Sequence, residues 1–165
     1  MWVRVPDWML VESGRPRPEV DSLFPSAGVR LHGQITAVDG HTPDGICEVT
    51  RFESTERTPV VYALTGTAAA AVDVWTGDED SNHHQRAGAE LVLSVDSDRF
   101  QVQFKGSAST VTPNSRLTAT GELVLVGDYE WDAFDLTDTR ADWRVMRVVD
   151  LARGAVLVEL QRSAR

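Results

Sequence analysis

The stretch Glu90-Leu91-Val92-Leu93-Ser94-Val95-Asp96-Ser97-Asp98-Arg99-Phe100-Gln101-Val102-Gln103-Phe104-Lys105 decides the fold class of this chain. Leu91, Leu93 and Val95 alternate with Glu90, Val92 and Ser94, and Phe100, Val102 and Phe104 alternate with Arg99, Gln101, Gln103 and Lys105. A period of two sends alternate side chains to opposite faces of a strand, so each half reads as a half-buried strand. Asp96-Ser97-Asp98 joins them as a tight turn. The two halves form an antiparallel hairpin.

The same period continues on both sides. Val29, Leu31, Gly33, Ile35 and Ala37 alternate with Arg30, His32, Gln34 and Thr36, and the strand stops in the Gly- and Pro-containing run 39–45. Ile46 to Phe52 reads as another strand. Val60 to Thr65 and Ala68 to Trp75 read as a paired hairpin, because Val72, Val74 and Trp75 outweigh the helix propensity of the Ala68–Ala71 run. Leu117 to Val126 is a long strand closed by Gly127-Asp128, and Val145–Val149 with Val156–Leu160 forms a terminal hairpin. Residues 2–5 add a short strand ending at Pro6. Glu12 to Pro25, with Gly14, Pro16, Pro18 and Pro25, reads as an extended crossing segment, since proline fixes φ and lacks a donor.

The expected fold is therefore all-β: an antiparallel barrel or sandwich of about nine or ten short strands with little helix. Parallel sheets normally need crossover helices, and no sustained 3.6 period supplies them. One domain over 1–165 is expected, with residues 1–27 as N-terminal strand and Pro-rich segment and 28–165 as the barrel or sandwich body. A chain of 165 residues, 42% apolar and 25% charged, is large enough to bury a core without staples.

A net charge of −9 argues against nucleic acid as a partner, because affinity for phosphates comes from neutralising cations. Fifteen of the sixteen basic residues are arginine and one is Lys105, which reflects coding composition before function. Cys47 is the only cysteine, so no intramolecular disulfide forms. No apolar run is long enough to span a membrane, and Met1-Trp2-Val3-Arg4-Val5-Pro6-Asp7 lacks signal-peptide character. The expected compartment is the cytoplasm.

Two loops carry the densest chemistry. Asp78-Glu79-Asp80-Ser81-Asn82-His83-His84 gathers carboxylates and imidazoles, and Asp80, His83 and His84 are candidate ligands for a divalent metal. The spacing is not that of a calcium loop, and adjacent histidines on a strand point apart, so a solvated hairpin loop is the plainer reading. In Asp128 to Asp138, five carboxylates interleave with Tyr129, Trp131 and Phe134. Asp128, Glu130, Trp131, Asp132 and Asp135 are candidate contacts for a cationic partner or ligand, against a loop anchored by Trp131 and Phe134 with its acids in solvent.

Cys47, inside a strand without a local base, reads as a core residue, with His32 the one histidine on a neighbouring strand to consider. Most of the five tryptophans (Trp2, Trp8, Trp75, Trp131 and Trp143) read as core. Arg140, Arg144, Arg147 and Arg153 have Asp138, Asp142 and Asp150 as the obvious partners. No Gly-x-Gly-x-x-Gly, P-loop, Gly-x-Ser-x-Gly or His-Glu-x-x-His occurs, and no cofactor is expected.

Val3-x-x-x-Asp7-Trp8-Met9 with Gly14 and Pro16, and Thr139-Arg140-x-x-x-Arg144-Val145-x-Arg147-Val148 near the end, resemble an uncharacterised family of small actinobacterial β-rich proteins. That family often has a Cys pair near its start, where this chain has Glu12-Ser13. The resemblance implies a source and no activity.

The functional expectation is a non-enzymatic module that binds a protein partner or small-molecule ligand through residues 128–138. The alternatives are a small barrel enzyme of cyclase or hydrolase type with a Trp-lined cavity and, behind it, a metal-binding protein. A Trp-lined closed cavity favours the ligand or enzyme readings, and a filled core with an exposed apolar patch rimmed by acids favours protein binding.

Overall fold

The computed structural model describes residues 1–11, 16–50, 60–76, 85–126, 139–151 and 154–163. Ten strands run through them: β1 (Trp2–Val5), β2 (Leu23–Ala37), β3 (Gly45–Glu48), β4 (Val61–Ala68), β5 (Val72–Thr76), β6 (Gln85–Val95), β7 (Asp98–Phe104), β8 (Arg116–Val126), β9 (Ala141–Asp150) and β10 (Val156–Arg162). One short helix, α1 (Asp7–Val11), follows β1, and a 3₁₀ turn covers Ala108–Thr110. The all-β expectation holds, and the β6–β7 hairpin has Leu91 opposite Val102 and Leu93 opposite Phe100.

The long strands β2 and β8 organise the sheet. They pair antiparallel from Gly28↔Val126 to Ala37↔Leu117. Each then changes neighbour along its other edge. β2 takes β9 over Leu23–Ala27 and β7 over Arg30–Gly33, while β8 takes β4 up to Glu122 and β1 at Val124. β1–β10–β9 closes one circuit onto this pair, and β4–β6–β7 closes the other. β3 and β5 hang on as outer strands beside β4 and β6. Closure matters because it satisfies backbone groups that open edges would leave available for aggregation.

Three sequence expectations change. The sheet is mostly antiparallel, but β1–β8 and β2–β7 are parallel. Crossover helices are unnecessary because the intervening strands themselves carry the chain round the circuit. Val60–Thr65 and Ala68–Trp75 are not a hairpin: β4 runs through Ala68 and pairs with β3, β8 and β6, whereas β5 pairs with β6. The boundaries also move. β2 starts at Leu23, through Pro25, with an irregularity between Phe24 and Ala27 that accommodates the proline. β3 stops at Glu48.

The inward faces form one continuous core. Val3, Leu31, Leu64, Leu91, Leu93, Phe100, Val102, Leu123, Leu125, Val158 and Leu160 are all at most 2% exposed. Full burial of such a side chain contributes about 1.5–3 kcal/mol. Trp2 and Trp143 belong to this core, Trp8 is half-buried, and Trp75 is exposed on β5. The Trp2 backbone N–H donates to the Tyr62 hydroxyl at 2.7 Å, tying β1 to β4, and Trp143 Nε1 donates to the Ala27 carbonyl at 3.0 Å.

Cys47 is exposed on β3 and not in the core. The reason is its strand: β3 lies outside the closed circuits, paired only with β4, and not beside the strand that carries His32. No helix among the described residues is long and apolar enough to cross a membrane.

Candidate functional site

The inward side chains of the described strands pack into one core, and the groove considered as a site lies on the outer face. The strand register defines one there. Arg4, Val124, Arg30, Gln101 and Val92 stand abreast across β1, β8, β2, β7 and β6. In the adjacent row stand Glu122, His32, Gln103 and Glu90, on β8, β2, β7 and β6. All project opposite to the core residues Leu31, Leu123, Val102 and Leu91 that alternate with them.

This outward face is not simply solvated. Arg30, Gln101 and Glu90 are 6%, 1% and 5% exposed. Arg30 Nε donates to Gln101 Oε1 at 2.8 Å, and Gln101 Nε2 donates to Glu90 Oε2 at 3.2 Å. The Arg30 guanidinium lies 3.8 Å from Glu90 Oε1. Burying an arginine and a glutamate requires such mutual satisfaction, since either alone is costly in a poorly hydrated place. Gln101 is the connector that satisfies both.

The other end of the first row is more open. Arg4 Nε donates to Glu122 Oε1 at 2.9 Å, with both side chains about a third exposed. Such a pair adds under about 1 kcal/mol to stability, but it orients the guanidinium. In the adjacent row, opposite Glu122, stands His32. Its pKa is drawn down to about 4, first by partial desolvation and then by the charges of Arg30 and Arg4. The residue as a whole is exposed on β2, and desolvation of the ring and the two guanidinium charges act in the same direction. His32 is therefore neutral at physiological pH.

A groove of about 620 Å³ opens over these residues. Its floor is Arg4, Arg30, His32 and Val124–Val126; one wall is Pro6, Asp7 and Trp8, the other Leu151 and Ala155. Each wall has a local cause. Helix α1 starts just after Pro6, with Asp7 in its first turn where a carboxylate meets the positive end of the backbone dipoles. Met9, 1% exposed, pins the turn to the core and leaves Trp8 over the groove. On the opposite side the Leu151 N–H donates to the Ala155 carbonyl at 2.9 Å, drawing β9 into β10. Gly154, at φ +82°, lets that connection pass Asp7: a Cβ there would lie 2.5 Å from Asp7 Oδ1.

Chemically, the groove offers two guanidinium groups, a neutral imidazole and an indole face. Its described lining also holds the Asp7 carboxylate and contains no serine, threonine or cysteine.

The residues that composition singled out lie elsewhere. Asp80, His83 and His84 of the first loop, and Asp128, Glu130, Trp131, Asp132 and Asp135 of the second, fall outside the described residues. Among the described residues no three His, Cys, Asp or Glu side chains converge on a metal position. Of the C-terminal arginines, Arg147 takes a partner other than the acids nearest in sequence, while Arg153 and Asp138 lie outside the described residues. Arg147 pairs with Glu159 across the β9–β10 register and stacks over Trp2, with Asp150 paired to Arg17 and Asp142 accepting from the Ser26 N–H. Side chains directly opposite across strands are closer than those along one strand, which is why Arg147 takes Glu159.

Sequence reasoning missed Arg4, Trp8, Arg30, His32, Gln101, Glu90 and Glu122 as a group. The period-two pattern did put Arg30 and His32 on one outward face and Gln101 with Gln103 on another. Nothing in the pattern said that these faces were neighbours. Compared with protein-family models, curated proteins and solved structures, the chain matches none, and the resemblance to an actinobacterial family rests on its quoted residues alone.

Proposed function

We propose that this chain is a non-enzymatic binding module that takes a small organic ligand on the outer face of its barrel, in the groove between α1, β1, β2 and β8. The observation that carries the reading is a groove of about 620 Å³ on the outer face of the packed core. That volume lies within the range of small-molecule sites, which join apolar walls to a few well-placed polar groups. Trp8, Val124, Val126 and Leu151 supply the apolar surface here, and Arg4 and His32 the polar groups.

The test is a nuclear magnetic resonance titration of the full chain with indole and 1-naphthoate. Saturable shifts concentrated on Trp8, His32 and Val124–Val126 are expected. Shifts that scatter, or that concentrate on the outer strands β3 and β5, overturn the reading.

A further inference from the structure

We infer that the groove selects an organic monoanion, a flat apolar body bearing one carboxylate, and that Arg4 is the residue that receives the carboxylate. This rests on the groove being the ligand site.

The two arginines differ in what they have left to give. Arg30 is buried, its Nε occupied by Gln101 and its guanidinium held against Glu90, so it contributes charge to the floor. Arg4 is held through Nε alone by Glu122 at 2.9 Å and is about a third exposed. Among the described residues its two terminal amino groups have no hydrogen-bond partner, and Arg4 lines the groove. A guanidinium presents those two groups as a planar fork matched to a carboxylate. Because Glu122 already fixes the side chain, little rotamer freedom is lost when a ligand binds.

Charge balance sets the sign and the size of the ligand's charge. Arg4 and Arg30 face Asp7 across the groove, with His32 neutral, and Glu122 and Glu90 do not line the space. Glu122 and Glu90 stand behind the two arginines as their ion-pair partners, so among the described lining residues the open fork of Arg4 is the positive group presented to the groove. A carboxylate answers that single charge. A dianionic phosphate ester brings a second negative charge that no further cation of the described lining meets. The indole of Trp8 with Val124, Val126 and Leu151 accommodates a flat apolar body beside the fork.

Three probes share one ring system and differ in the head group: 1-naphthoate, 1-naphthalenemethanol and 1-naphthyl phosphate. Calorimetric titration of the full chain is expected to show the carboxylate binding about tenfold or more tighter than the alcohol, and at least as tightly as the phosphate. Arg4→Gln reduces the carboxylate-to-alcohol preference to about threefold or less. Glu122→Gln, which keeps Arg4 and releases its orientation, gives an intermediate preference and covers the case in which Arg4→Gln folds poorly. Equal binding of carboxylate and alcohol by the wild-type chain overturns the monoanion inference and leaves the groove reading standing. Binding of none of the three overturns the groove reading itself. A phosphate that binds about tenfold tighter than the carboxylate overturns the assignment of a single charge.

Discussion

Replacing Gly121 with alanine tests how β2 and β8 hold the outward rows together. Gly33 and Gly121 face each other in the register, and neither has room for a side chain. A Cβ on Gly121 would lie 2.0 Å from the His32 carbonyl oxygen and 2.8 Å from Gly33 Cα; one on Gly33 would lie 1.9 Å from the Thr120 carbonyl oxygen. Contacts of that kind have to open to at least 3.0 Å, so the strands must part by about 1 Å, and the obstruction is backbone that cannot rotate away. β8 is also held on its other side, where Gly121 pairs with Tyr62 of β4, so relief on one side strains the second ladder. The expected cost is at the upper end of overpacking, about 3 kcal/mol. For a chain of this size that lowers Tm by roughly 6–12 °C.

Differential scanning calorimetry, with urea unfolding in parallel, measures the effect. Gly45→Ala serves as the control, because nothing lies within 4 Å of a Cβ there, and its stability should change by less than about 1 kcal/mol. Since His32 and Glu122 adjoin the two glycines, the parted strands should also weaken 1-naphthoate binding. A Gly121→Ala chain melting within about 2 °C of wild type would refute the close-approach argument.

Two other perturbations read the polar face directly. Gln101→Leu removes the connector between Arg30 and Glu90, leaving two buried charged groups each short of a hydrogen bond, and should destabilise by about 2–4 kcal/mol in urea unfolding; a loss below about 1 kcal/mol would mean that Gln101 is dispensable to the pair. His32→Asn tests the pH dependence. With a folded-state pKa of about 4 against an ordinary 6.5, the unfolded chain binds the proton more readily, so the wild type loses stability as pH falls from about 6.5 towards 4 and carries no such penalty above that window. Screening of the partly open ring limits the loss to about 1–2 kcal/mol, and the variant's Tm should fall less than wild type across the window; parallel profiles for the two proteins would show that His32 titrates as in the unfolded chain.

Much of the fold was legible because it is written locally. The alternation through Leu91–Val95 and Phe100–Phe104 placed the β6–β7 hairpin correctly, and the same rule found β8, β9 and β10. Local reading failed where a strand's partner is remote. Ala68–Trp75 resembled the second arm of a hairpin, yet β4 turns its edges to β3, β8 and β6. Cys47 has core chemistry and sits on an outer strand, a position no window around it records. The helix α1 is five residues long, too short for a periodic signal, although it supplies Trp8 to the groove.

Within this chain, residue order alone decided which side chains leave each strand together: Arg30 with His32, Gln101 with Gln103, Glu122 with Val124. It also settled the all-β class, since a period of two is a property of single strands. The tertiary structure decided that these pairs form two rows across β1, β8, β2, β7 and β6, that the inward faces pack into one core, and that a groove lies outside it. The physical reason is that hydrogen-bonded neighbours in this sheet come from distant parts of the chain. Arg4 meets Glu122 at 2.9 Å across 118 positions, and Arg30 meets Gln101 at 2.8 Å across 71. Their interaction depends on strand order and register, which the collective packing of the core sets and which no local pattern encodes.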